Sequence, residues 1–498
     1  MELPFEKKVC RYWKQKLYTL VNQEETQEIR LPESMPDVGR VICSWGQAVI
    51  RSKDWRSGGI GVSGGVMVWV LYAPEGGGDL QHIESWIPFQ SRAEFPDDGE
   101  DGTIRVECLL KSVDARSISS RKLMLRTGIG MLVQILVPES AQISNPGELP
   151  PDLEVLNRTY PLVLTRETGE KTFLLDEELS LPRGSRPVKQ LIYYRMEPEL
   201  LDQKVMGSKA VFRGIGKLHV LYLDDEGELN SADLELPFAQ YMDLDGDYEP
   251  DAMVSNLLCL TSLELDMLPE GTLHLKCGMV SQYIINAESV INVLEDIYSP
   301  CRSVEAERQE LILPAWLEER QQSVDVSQSL PMEDGTLVDQ HFMPIPPVVT
   351  RQPGGVSIET GGNFQTLLKD QNGEYIGKNL NSRERTELKT ECDTICFARP
   401  KGSVECRRDA GNWRVETQIL LSIGSLCTHP IEMVTSVQAG EAGTPDPERP
   451  SVIIRSLGEY PGLWDLAKNN GSTVSAIRKL NKLEGEPEKN RLLLIPVI

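Results

Sequence analysis

Histidine is scarce in this sequence, five in 498 residues, with no His-x-x-x-His pair and no glutamate-paired zinc pattern. Helical zinc sites of the protease kind are therefore excluded. Long apolar runs are missing too. No stretch approaches the ~18 apolar residues of a membrane-crossing helix, and Met1 to Lys8 lacks a hydrophobic signal core. The chain is expected to stay in the compartment where it is made, without membrane insertion. Basic residues are in deficit, 51 Lys/Arg against 75 Asp/Glu, and a net charge of −24 repels phosphate backbones, so no nucleic-acid partner is expected. The ten cysteines include no Cys-x2-Cys knuckle and are expected to be reduced, buried small side chains. One group has ligand-like spacing, Cys392, Cys396, Cys406 and Cys427 with His429, but it is too loose to imply a metal. No cofactor, metal or catalytic residue is expected.

What is present is an ordinary globular composition, 40% hydrophobic and 25% charged, in a chain long enough for several domains. The acidity is uneven. Residues 451–498 hold seven Lys/Arg and five Asp/Glu, which leaves 44 against 70 in the first 450 residues.

That last segment reads as a βααβ unit. Ser451 to Arg455 is a β-branched run, and Leu463, Leu466 and Ala467 share a helical face that Asn469 to Gly471 ends. Ser472 or Thr473 can cap a second helix carrying Val474, Ile477 and Leu480, closed by Asn481. Leu492 to Ile495, before Pro496, supplies the closing strand. By this spacing Leu463, Trp464, Leu466, Ile477 and Leu480 form the core.

Self-comparison organises the rest. Val66 to Tyr72 is echoed by Gly216 to Tyr222 and Gly362 to Leu368, and Lys122 to Arg126 by Thr272 to Lys276 and Trp413 to Thr417. The offsets are domain-sized, giving three copies at 1–137, 152–299 and 302–438 with a Gly/Pro linker at 439–450. Alternation such as Val415, Thr417, Ile419 and Leu421 predicts antiparallel strands, so the fold class is mainly β: three β-sandwich-like domains and a small βααβ module. Helix signals there are sparse, the best being Leu200 to Lys204 and Ala315 to Gln322, both short. Pro138 to Pro151 separates the first two copies, the linker lets the C-terminal unit move, and Met343 to Pro347 is an extended interruption of the third copy.

Other patterns have plainer readings. Gly59 to Gly64 fits Gly-x-Gly-x-x-Gly, but a strand follows where a nucleotide site needs a helix, so it reads as a flexible connection. Asp243 to Asp247 with Glu249 and Asp251 lacks the EF-hand glycine and glutamate and reads as a solvated acidic turn.

Two resemblances follow from these residues. Leu463-Trp-x-x-Ala467, Thr473-Val-x-x-Ile477, Leu480-Asn481 and Leu493 to Pro496 resemble a LysM module, a glycan- or protein-binding family without catalysis. Its ligand loops correspond to Glu459, Tyr460 and Pro461 and to Lys482, Leu483 and Glu484. Family members commonly read Gly-Asp-Thr/Ser-Leu-Trp at the first loop, where this chain has Gly458 to Trp464 with an insertion. Leu31-Pro-Glu-x-x-Pro36-Asp-Val-x-Arg40 resembles the signature opening SPOCS domains, in which Asp37 is expected to satisfy a turn amide or pair with an arginine. Together they resemble SipL-like spore coat morphogenetic proteins. The resemblance implies a non-enzymatic adaptor in the mother-cell cytoplasm at the forespore surface, with a SpoIVA-type coat ATPase as partner and other coat proteins or itself as further partners. The alternative is a peptidoglycan binder, and a wall hydrolase is the third class. On this reading Trp464→Ala unfolds the module, whereas Tyr460→Ala leaves it folded and weakens docking.

Overall fold

The computed structural model describes residues 4–56, 58–95, 102–269, 271–331, 335–409, 412–441, 443, 450–489 and 491–498. Most of the expected linker, 442 and 444–449, lies outside the described residues. Among those described are 20 strands, two short α-helices and one 3-10 turn, so the chain is mainly β.

β1 (Phe5–Arg30) runs antiparallel to β6 (Lys122–Pro146), whose other edge takes β5 (Thr103–Ser119). β2 (Val38–Arg56), β3 (Gly59–Pro74) and β4 (Gln81–Glu94) form a second sheet in that order. One core joins the two: Val66, Val68 and Val70 of β3 meet Val106 of β5 and Leu123, Met131 and Val133 of β6. Alternation sorts β3 between two cores, Val66, Val68 and Val70 into this one and Met67, Trp69 and Leu71 into another, so a one-residue slip would exchange the two sets.

The same pairing order recurs twice. β7 (Glu154–Leu179) pairs β11 (Leu273–Tyr298), which pairs β10 (Met253–Met267); β8 (Gln190–Leu223) and β9 (Leu229–Tyr248) form the accompanying sheet. Ion pairs Arg213–Asp202 and Lys217–Glu199 join the two halves of β8 about Gly207, whose φ of 63° suits a reversal. Then β12 (Val304–Pro331) pairs β18 (Asn412–Ala439), which pairs β17 (Asp393–Asp409). Its accompanying sheet centres on β15 (Gly355–Lys369), with β13 (Thr336–Pro344) and β14 (Val348–Gln352) along one edge and β16 (Tyr375–Leu388) on the other. Pro344, Pro346 and Pro347 separate β13 from β14 because proline has no N–H for the ladder, and Ile345 N–H donates to Gly361 O at 3.0 Å to hold the break.

The three long strand pairs converge. A single buried cluster takes Cys10, Tyr12, Ala141 and Ile143 from β1/β6, Leu162, Leu164, Ile291 and Val293 from β7/β11, and Leu313, Ala315, Ile431 and Met433 from β12/β18. Nearby, Trp316 of β12 donates from Nε1 to Thr165 Oγ1 of β7 at 2.8 Å.

Several expectations need correction. Leu200 to Lys204 and Ala315 to Gln322 are strand, inside β8 and β12, because tertiary pairing overrides a short helical spacing. Gly59 to Gly64 belongs to β3 and is not a flexible connection. Asp243, Asp245 and Asp247 are the exposed alternate positions of β9, with Asp245 and Gly246 N–H donating to Glu167, so this part of the acidic stretch is a strand end; the turn is confined to Glu249 to Ala252. Pro138 to Pro146 is strand as well, paired with Trp13 to Phe5, so the first unit runs past residue 137. Finally, Cys392 and Cys427 form a disulfide, since the start of β17 lies beside the partner strand β18 at Leu426.

Candidate functional site

The C-terminal unit contains β19 (Val452–Ser456), α1 (Leu463–Asn469), α2 (Val474–Asn481) and β20 (Leu492–Pro496), with β19 and β20 antiparallel. Its core is Leu457, Leu463, Leu466, Ala467, Ile477, Leu493 and Ile495, all at most 5% exposed. Thr473 Oγ1 caps α2 by accepting from Ala476 N–H at 3.1 Å, and Lys482 ends it in the left-handed region at φ 51°. Asn481 does more than close the helix: it accepts from Leu494 N–H at 2.9 Å and donates to Leu494 O at 2.6 Å, covering that edge of β20.

Leu480 is 42% exposed and does not belong to the core. At ~100° per residue, position i+6 has rotated about 120° away from Val474, so the spacing carries it off the buried face. Trp464 is only partly buried within the unit. Its ring stands edge-on to Tyr298 of β11 at 4.8 Å, and its Nε1–H donates to Asp296 Oδ2 at 2.8 Å. Lys468 Nζ reaches both oxygens of Asp296 at 2.8 and 2.7 Å, Arg308 of β12 pairs with the same carboxylate, and Tyr298 OH donates to Ser472 O at 3.0 Å. Burial raises the Asp296 pKa, but hydrogen bonds from Lys468 and Trp464 outweigh it and hold the carboxyl below its ordinary value. The unit is thus seated on the body by α1, whatever mobility the linker's composition suggested.

The loop candidates are divided by this seating. Tyr460 packs on the unit's core and accepts from Asn470 Nδ2 at 3.3 Å; Leu483 packs there too. Pro461 lines an open cleft of about 1270 Å³ between unit and body, with Trp464, Val474 and Arg478 on one wall and Arg158 and Tyr160 on the other. Glu459, Lys482 and Glu484 are exposed and do not line it. The sequence reading missed the outer face of the two-stranded sheet. There Val452 (45%), Ile454 (59%), Leu492 (68%) and Leu494 (40%) are exposed, with Ile454 directly opposite Leu494. The signal was the unbroken apolar run in each strand, where a half-buried strand would alternate.

In the first unit Asp37 Oδ1 accepts from Arg121 at 2.9 Å, and the same guanidinium donates to Met35 O and Pro32 O, both at 2.6 Å. Arg40 reaches instead to Glu374 at 3.2 Å and Tyr375 O on β16. The letters Gly-x-Ser-x-Gly also occur, at Gly61 to Gly65. They lie within β3, where Ser63 Oγ meets Ser52 Oγ at 2.7 Å, not on a strand-to-helix turn.

Residues 187–260, which hold β8, β9 and the start of β10, match the family model described as SipL, SPOCS domain. The chain carries a SipL-type SPOCS domain. No curated protein and no solved structure matches it. The SPOCS segment includes Gly216 to Tyr222, the second member of the repeated strand, and its equivalents by pairing order are β3 and β15. Among the described residues no helix is long and apolar enough to cross a membrane, and no group of three or more His, Cys, Asp or Glu is placed to hold a metal.

Proposed function

We propose that this chain is a non-enzymatic adaptor in spore coat assembly, with three SPOCS-like domains as scaffold and a C-terminal LysM-like module as the docking element. The SipL SPOCS match at 187–260 carries the sporulation assignment, and the threefold recurrence of one pairing order supports reading the body as three related domains. The partner in this reading is a coat ATPase of the SpoIVA type at the forespore surface. The exposed apolar sheet face of the module supports protein docking over glycan binding, since four large aliphatic side chains suit a protein surface. Capture of the coat ATPase by immobilised full chain, beside co-sedimentation with purified peptidoglycan, separates the two readings. ATPase retained and peptidoglycan not is the expected result. Strong sedimentation with peptidoglycan and no ATPase capture contradicts it.

A further inference from the structure

Far from the C-terminal unit, the three domains border a half-open cavity of about 180 Å³. The first supplies Leu110 and Glu107 of β5, the second Arg195 of β8, and the third Phe342, Met343 and Arg399. Its walls are mixed, with Gln47, Glu197 and His341 also lining it, and its polar groups are incompletely satisfied. Glu107 is 9% exposed, and its Oε2 has no hydrogen-bond partner; Arg195 Nε lies 3.2 Å from Glu197, but its Nη1 has none. The Arg399 guanidinium is half-buried and makes no side-chain hydrogen bond or ion pair among the described residues, although Glu199 and, to a lesser degree, Glu107 act on it electrostatically. Burial pushes the Glu107 pKa up to about 8 against the pull of Arg399 and Arg105, so at neutral pH this group is an O–H donor. An adjoining hollow of about 510 Å³ shares Arg195 and Phe342 and is lined also by the exposed Asp233, which gives a route from solvent.

Glu107, Arg195 and Arg399 thus line one space with Leu110, Phe342 and Met343, and two of them carry a buried polar atom without a partner. Unpaired buried donors are costly, and an anionic oxygen pair satisfies them better than a neutral acceptor. Cavities of about 150 Å³ accommodate a benzene ring, which sets the size of the apolar part. We propose that the junction cavity is a binding site for a small organic carboxylate with a compact apolar body, its carboxylate held by Arg195 and Arg399 and its body against Phe342 and Met343. Because all three domains contribute, such a ligand ties them together.

Benzoate is the probe, with benzamide as its uncharged counterpart, measured by saturation-transfer NMR and titration on the purified full chain. Benzoate is expected to bind and benzamide to bind about tenfold more weakly or not at all, since charge-assisted bonds are the stronger. Arg399→Gln should weaken benzoate about tenfold while Glu107→Gln, which keeps a donor, changes it little. Leu110→Phe, which narrows the cavity, should abolish binding with circular dichroism unchanged, and it decides the matter if Arg399→Gln does not fold. Absence of benzoate binding at millimolar concentration, as for a cavity holding only water, overturns the proposal. Equal binding of benzamide, or unchanged binding by a folded Arg399→Gln or Leu110→Phe, overturns it as well.

Discussion

Asp296 receives Trp464, Lys468 and Arg308 on one carboxylate, and this concentration makes it the fastening point of the C-terminal unit. Asp296→Asn leaves two cations without their shared anion. The expected cost is about 1–3 kcal/mol, read as faster amide exchange at residues 463–469 in the full chain. The pH dependence follows in sign. A carboxyl with a depressed folded pKa contributes stability that is fully present above its unfolded value, near ~3.9, and lost as pH falls through the folded value. Exchange in α1 should therefore be insensitive to this group at neutral pH and accelerate only in strong acid. Glu107 behaves oppositely: with a raised pKa it binds a proton in the folded state that the unfolded chain releases above ~4.3, so it lowers stability as pH rises toward about 8. Glu107→Gln should flatten that decline in denaturation experiments. Trp464→Ala, expected from spacing to unfold the unit, is better placed to release it from Tyr298, because Trp464 is only partly buried and stands against Tyr298, whereas the wholly buried core is Leu466, Ala467 and Ile477.

At the scale of elements, alternation made most of the body legible. The run from Val415 to Leu421 announces a strand whose alternate residues are half-buried, and the β-branched run of β3 a strand buried on both faces. The short helix signals failed because five to eight residues cannot nucleate a helix against a long ladder of paired backbone. In β3 the glycines serve packing and not a ligand. A Cβ on Gly65 would come within 2.1 Å of Trp86, and one on Gly64 within 2.2 Å of Val49 O. Gly65→Ala should therefore destabilise by about 1–3 kcal/mol in chemical denaturation, the cost of overpacking. In the C-terminal unit the order of strands and helices could be read from its turn residues, while its seat on β11 could not. Asp296 and Tyr298 carry no local mark distinguishing them from any other strand residue.

At the scale of the molecule, the cluster built from Leu164, Leu313, Ala141 and their neighbours means that the three long strand pairs share a core. Leu164→Ala, at a position with no exposure, should cost about 2–5 kcal/mol and affect all three long strand pairs in hydrogen exchange, not β7/β11 alone. The repeats were visible as echoes of sequence, but their junction was not, since contacts such as Arg40 to Glu374 join residues more than 300 positions apart. The central claim, that this body and its docking element act in coat assembly, is tested most directly by imaging a fluorescent fusion of the full chain during sporulation. The account predicts a shell of signal around the forespore that is lost when residues 451–498 are removed. Uniform signal throughout the mother cell with the intact chain would contradict it.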